Sequence, residues 1–98
     1  MKMTVHELIE IAERNKYEEK LAGITEYPDR YVVSYVGENG EAPDLPSLYV
    51  MKDTGKTGVF FPPDFSDEYL NSGADVSIPR EYYDNGIAIR VPEDDDDE

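Results

Sequence analysis

An α+β domain is the fold this sequence predicts: one amphipathic helix packed on an antiparallel sheet of four or five strands, with a short second helix and a disordered acidic C-terminal tail. Three observations predict it. Residues 4–15 place apolar side chains at helical spacing behind a capping signal. Residues 24–61 hold two pairs of β-branched and aromatic runs, each pair joined by turn residues. The length, 98 residues, suits one domain and one modest core. The expected boundaries are a single domain over 1–92 and a tail over 93–98.

The helix is the clearest element. Thr4-Val5-His6-Glu7 has the form of a capping box, in which the Thr hydroxyl takes the Glu7 N–H and the Glu carboxylate reaches back. Val5, Leu8, Ile9 and Ala12 then form one apolar stripe, which Ile11 widens, while Glu10 and Glu13 lie off it. Asn15 can stop the helix, because Asn tolerates the left-handed conformation. Residues 16–23 fit either more helix or the start of a strand.

Ile24–Tyr27 and Arg30–Val36 read as a hairpin across Pro28-Asp29. In the second strand Tyr31, Val33 and Tyr35 share one face and Val32, Ser34 and Val36 the other. Both faces carry apolar groups, which predicts a central position. Gly37 to Pro46 is a loop. Ser47–Met51 and Thr57–Phe61 make a second hairpin around Asp53-Thr54-Gly55-Lys56, with Gly supplying positive φ. Pro62-Pro63 stops the strand. Asp64 or Ser66 can then cap a short helix through Phe65, Tyr69 and Leu70, where Phe65 and Tyr69 can pack together. Ala74–Pro79 reads as irregular and Arg80–Asp84 shows no clear pattern. Asp84-Asn85-Gly86 is a turn, and Ile87–Val91 alternates as one more strand. The expected core is Val5, Leu8, Ile9, Ala12, Ile24, Val33, Tyr35, Leu48, Val50, Val59, Phe61, Phe65 and Leu70.

Composition narrows the function classes. Twenty-three acids against nine bases give a net charge of −14. Taking away the six carboxylates of Glu93–Glu98 leaves −8, so the folded part is acidic in its own right. Such a field repels nucleic acid and anionic membranes and attracts a basic protein surface. The same charge also serves simple solubility. Rows of carboxylates can further imitate nucleic-acid phosphates and occupy a basic cleft. There is no Cys, so no disulfide or thiolate metal site can form. No stretch is long and apolar enough to span a bilayer, and Met1–Glu7 lead into no signal core. A cytoplasmic protein is the expectation.

Catalytic and cofactor motifs find little support. His6 is the only histidine, sits in the first turn of a helix where the dipole disfavours its charged form, and has no nucleophile motif beside it. No spacing singles out an acid pair for glycoside chemistry. The acidic tail lacks the Gly bend and ligand offsets of a calcium loop. Gly55-Lys56-Thr57 lacks the leading Gly of a phosphate loop and runs into a strand, so it is a hairpin turn. The expectation is a non-enzymatic protein with no cofactor and no metal, acting on a protein partner, as a monomer or a dimer. Glu81, Tyr82, Tyr83 and Asp84 are the candidate partner-binding residues: adjacent tyrosines flanked by acids suit a hot spot facing a basic surface. The competing arrangement has one Tyr filling the core while the other covers an edge.

The order helix, hairpin, loop, and a hairpin turning at Lys52-Asp53-Thr54-Gly55-Lys56 resembles small bacterial immunity-type proteins of the YrhB-like kind over about residues 3–61. Turns of that form also occur in cystatin-like and peptidase-propeptide-like domains. The resemblance implies a cytoplasmic protein that neutralises a toxin by binding it, and it carries over no functional residue. An alternative is a structural or assembly accessory with an acidic docking or solubility tail.

Overall fold

The structure, a computed structural model, describes residues 3–16, 18–38, 42 and 46–90. Tyr17, most of the Gly37–Pro46 loop, Val91 and the acidic tail lie outside the described residues. Helix α1 (Val5–Arg14) leads into strands β1 (Lys20–Glu26), β2 (Arg30–Val36), β3 (Leu48–Met51) and β4 (Thr57–Val59). A 3-10 turn (Pro62–Asp64), helix α2 (Asp67–Asn71), strand β5 (Ala74–Val76) and helix α3 (Arg80–Asp84) follow. The five strands form one antiparallel sheet in the order β4-β3-β2-β1-β5. The α+β class therefore holds, and β2 is the central strand its two apolar faces predict.

Each face of the sheet has its own cover. Leu8, Ile9 and Ala12 of α1 are buried against Leu21, Ile24, Tyr31, Val33, Tyr35 and Val50, with Ile78 and Ala88 closing the cluster. On the other face Tyr27, Val32 and Phe60 pack with Tyr49, Phe65, Tyr69 and Leu70. There the rings stack: Phe60 on Phe65 at 5.1 Å, Phe65 on Tyr69 at 4.8 Å and Tyr69 on Tyr27 at 4.9 Å. Phe65 and Tyr69 thus meet as their spacing predicts.

Local signals explain most boundaries. The capping box of α1 forms: Glu7 N donates to Thr4 Oγ1 at 3.1 Å and Thr4 N to Glu7 Oε1 at 2.9 Å. Ser66 rather than Asp64 caps α2, its hydroxyl accepting from Tyr69 N. Gly55 (φ 75°) and Gly86 (φ 83°) supply the left-handed residues of their turns. Asn15 ends α1 without entering that region. Its φ is −107°, and its side-chain amide donates to the Ile11 carbonyl at 2.8 Å.

Four expectations need correction. Val59 and Phe61 are not core: they are 61 % and 55 % exposed, while Phe60 between them is 8 % exposed. Strand side chains alternate, so drawing Phe60 into the aromatic layer turns both neighbours outward. Ala74–Val76 is a strand, β5, paired with Ile24–Glu26 of β1. Ile87–Ile89 is therefore left only the start of β1 to pair with. It makes a single parallel bridge, Leu21 to Ala88, in which Leu21 N donates to Ile87 O and Ile89 N to Leu21 O, both at 3.0 Å. Arg80–Asp84, patternless in sequence, is the short helix α3, entered from the extended backbone of Pro79.

Candidate functional site

The capped N-terminus of α1 fixes which way its polar residues point. His6, Glu10 and Glu13 fall along one flank of the helix, three and four residues apart. Opposite that flank stands α3. It is held from behind: Ile87 N and Ala88 N donate to the Tyr82 carbonyl at 2.9 and 3.0 Å, and Lys20 Nζ donates to the Gly86 carbonyl at 2.6 Å. The two helices touch through His6. Its Nε2 lies 3.5 Å from Glu81 Oε2, and its ring meets Tyr82 at 5.7 Å in a tilted contact. Both members of the His6–Glu81 pair are well exposed, so the pair orients more than it stabilises.

Between the helices runs a groove of about 370 Å³ lined by His6, Ile9, Glu10, Glu13, Tyr82 and Ile87. Its floor is apolar and its rim carries carboxylates. The two carboxylate oxygens of Glu13 differ in their surroundings. Its Oε1 lies 3.6 Å from Lys16, but its Oε2 is buried with no hydrogen-bond partner among the described residues. A buried carboxylate oxygen left in that state is costly. Burial, then the Glu81 and Glu10 carboxylates, raise the pKa of the Tyr82 phenol, so at neutral pH it is an un-ionised donor beside the acids. A second groove, about 400 Å³, flanks the other side of α1, between Glu7, Glu10 and Arg14 and the β3–β4 turn at Lys52–Gly55. Glu10 is the ridge between the two.

The four residues singled out by sequence separate in space. Glu81 and Tyr82 reach the α1 flank. Tyr83 is half-buried, packs against the main core and carries the Arg90 guanidinium over its ring at 4.3 Å. Asp84 points outward, 3.9 Å from Arg80. Both tyrosines therefore contribute packing, and one of them also lines the groove. Sequence reasoning missed Glu10, Glu13 and Ile87 as members of this site. The i, i+3 spacing of Glu10 and Glu13 was visible, but nothing local ties α1 to a segment some 70 residues on.

Such a groove can hold a cation on an aliphatic stem: methylenes over Ile9 and Ile87, charge against Glu10 and Glu13. Among the described residues no three His, Asp or Glu side chains converge as a metal centre would need. No helix among the described residues is long and apolar enough to cross a membrane. No protein-family model, curated protein or solved structure shows significant similarity to the chain.

Proposed function

We propose that this chain is a non-enzymatic protein-binding module whose partner presents a basic surface, and that the groove between α1 and α3 receives a Lys or Arg side chain from it. The observation that carries the proposal is the acid-rimmed, apolar-floored groove itself, with Glu10 and Glu13 beside Ile9 and Ile87. The −8 charge outside the acidic tail supports it by steering a basic partner toward the fold. In its most concrete form the module is a cytoplasmic immunity protein that neutralises a basic toxin. The six consecutive acids of 93–98 favour a second reading, an assembly accessory that docks through its tail.

The experiment is capture from the native source with the full chain, beside Glu10→Lys and Glu13→Lys variants and a chain lacking 93–98. The expected result is one basic protein retained by the wild type, with an on-rate that falls as salt rises and an affinity lowered about tenfold or more by either variant. Recovery of no basic protein sinks the reading. A partner bound equally by the two variants but lost with the tail transfers the function to the accessory reading.

A further inference from the structure

We propose that two copies of this chain pair through their β4 edges, antiparallel, across a two-fold axis at Val59. The sheet has one open edge and one guarded edge. On the guarded side β5 carries Asp75 and covers Ile24–Glu26 of β1, and further along β1 Leu21 is bridged to Ala88. On the open side lies β4, with the exposed large hydrophobics of the described residues, Val59 and Phe61.

The backbone of β4 has the polarity such pairing needs. Met51 N donates to Lys56 O, and Phe60 N donates to Ser47 O, so residues 56, 58 and 60 bond inward to β3. Alternation then directs the N–H and C=O of Thr57 and Val59, and the N–H of Phe61, away from the sheet. The Phe61 carbonyl is engaged by Asp64 N, and Pro62 has no N–H, so the available groups centre on Val59. With the axis there, Val59 exchanges both N–H···O=C bonds with its copy, and each Phe61 N–H meets the Thr57 carbonyl across the axis. The side chains of Thr57, Val59 and Phe61 share one face, so the exposed valines come side by side and each Phe61 covers a Thr57. That face continues into a shallow groove of about 260 Å³ lined by Tyr35, Leu48, Thr57 and Val59.

Charge selects a second copy as the occupant. A molecule at −14 repels itself almost everywhere, yet no acid occurs between Asp53 and Asp64, the stretch that contains β4. Lys56 is the charged residue there. Native sheets commonly blunt an edge with charge, and this one presents apolar Val59 and Phe61 with no carboxylate, whereas the opposite edge strand carries Asp75. A strongly basic partner would find no carboxylate on β4 to engage.

Sedimentation equilibrium of the full chain from micromolar to millimolar concentration is the test. The mass should rise from 11.1 kDa toward twice that value, and further with added NaCl, since salt screens repulsion between like-charged copies. This salt response is the reverse of that expected for the basic partner, so either proposal can fail alone. Val59→Lys sets like charges opposite each other and should weaken association by about tenfold or more. The chain has no cysteine, so Val59→Cys reports the register. Hydrogen-bonded antiparallel residues sit about 5.5 Å apart at Cα, inside the roughly 4.4–6.8 Å a disulfide spans. Oxidised Val59→Cys should become covalent dimer. Thr57→Cys should not, its copies being separated by four residue steps of about 3.4 Å along the strand. A single-copy mass at every concentration overturns the proposal, as does a dimer indifferent to Val59→Lys, or equal cross-linking of the two cysteine variants. Should Val59→Lys not fold, the cross-linking pair decides.

Discussion

Arg30 is bound on three sides. Its Nε and Nη2 donate to the Asp29 carboxylate at 3.2 and 2.9 Å, and its guanidinium lies over the rings of Tyr49 and Phe65 at 5.0 and 5.1 Å. The Tyr69 hydroxyl donates to the same carboxylate from 40 residues away. The Arg30 hydrogen bonds, against some burial and with help from Tyr69, hold Asp29 down to about 2. That contribution is present above the ordinary carboxylate value of 3.8 and is lost as pH falls through about 2. It is modest, because the aspartate is half-exposed. Two phenols behave in the opposite sense. Burial first, then the Asp29 bond, pushes Tyr69 up to about 12. Burial, then Glu13 and Glu19, does the same to Tyr35, whose hydroxyl donates to the Ala12 carbonyl at 2.9 Å. Their contribution is complete below pH 10 and is lost as pH rises through about 12. With eight Tyr and no Trp, tyrosinate absorbance reads this directly. Tyr35→Phe should remove one late-titrating step and flatten the fall of stability between pH 10 and 12, at a cost near neutrality of about 1 kcal/mol. A wild type whose tyrosines all ionise near pH 10 contradicts this. The turn at Pro28-Asp29 was legible in sequence; its fastening to Tyr69 was not, because no local pattern links residues so far apart.

Elements were legible in proportion to how locally they are specified. Thr4 and Glu7 announce α1 within one turn. Three apolar residues in a row, Val59-Phe60-Phe61, announce a strand but not its phase. Contacts made by Phe60, and by Tyr49 across the neighbouring Gly58, set that phase. A Cβ on Gly58 would lie 2.6 Å from Tyr49 Cζ and Oη, and Arg30 holds that ring from the side. Gly58→Ala should therefore cost about 1–3 kcal/mol by overpacking, seen as a lower urea midpoint. Gly23, also in a strand, has no atom within 4 Å of an added Cβ. Gly23→Ala should be neutral or stabilising, by up to about 1 kcal/mol. Equal losses at both glycines would show that strand propensity rather than Tyr49 governs the response. Helix α3 escaped notice because its five residues have no side-chain cap and depend on docking against α1 and the core.

The whole molecule combines a class that was legible with a layering that was only half so. Alternation in β2 showed that both sheet faces are covered. It could not show that the second cover is an aromatic stack folded back from residues 60–69. The acidity of the candidate site was likewise plain from composition, whereas the groove required α1 and α3 to meet. Charge at this scale works against compactness: −14 on a chain of 98 residues is self-repelling. Added NaCl should raise the urea midpoint of the full chain, most steeply at low ionic strength, where screening changes fastest. A midpoint that falls with salt would mean that internal ion pairs such as Lys52–Glu26, at 2.7 Å, outweigh the repulsion.

The bridge from Leu21 to Ala88 bears on how the protein is made. Both residues are almost wholly inaccessible, and Ile78 beside them comes late in the chain as well. A polypeptide leaving the ribosome can zip β1 to β2 and β3 to β4 as each hairpin emerges. The floor beneath α1 stays open until residue 88 has cleared the exit tunnel, because Ile78 and Ala88 complete it. The closing segment is therefore a latch that engages last, and until it does a nascent chain keeps the Leu21 side of the cluster incomplete, the interval in which a chaperone would find it.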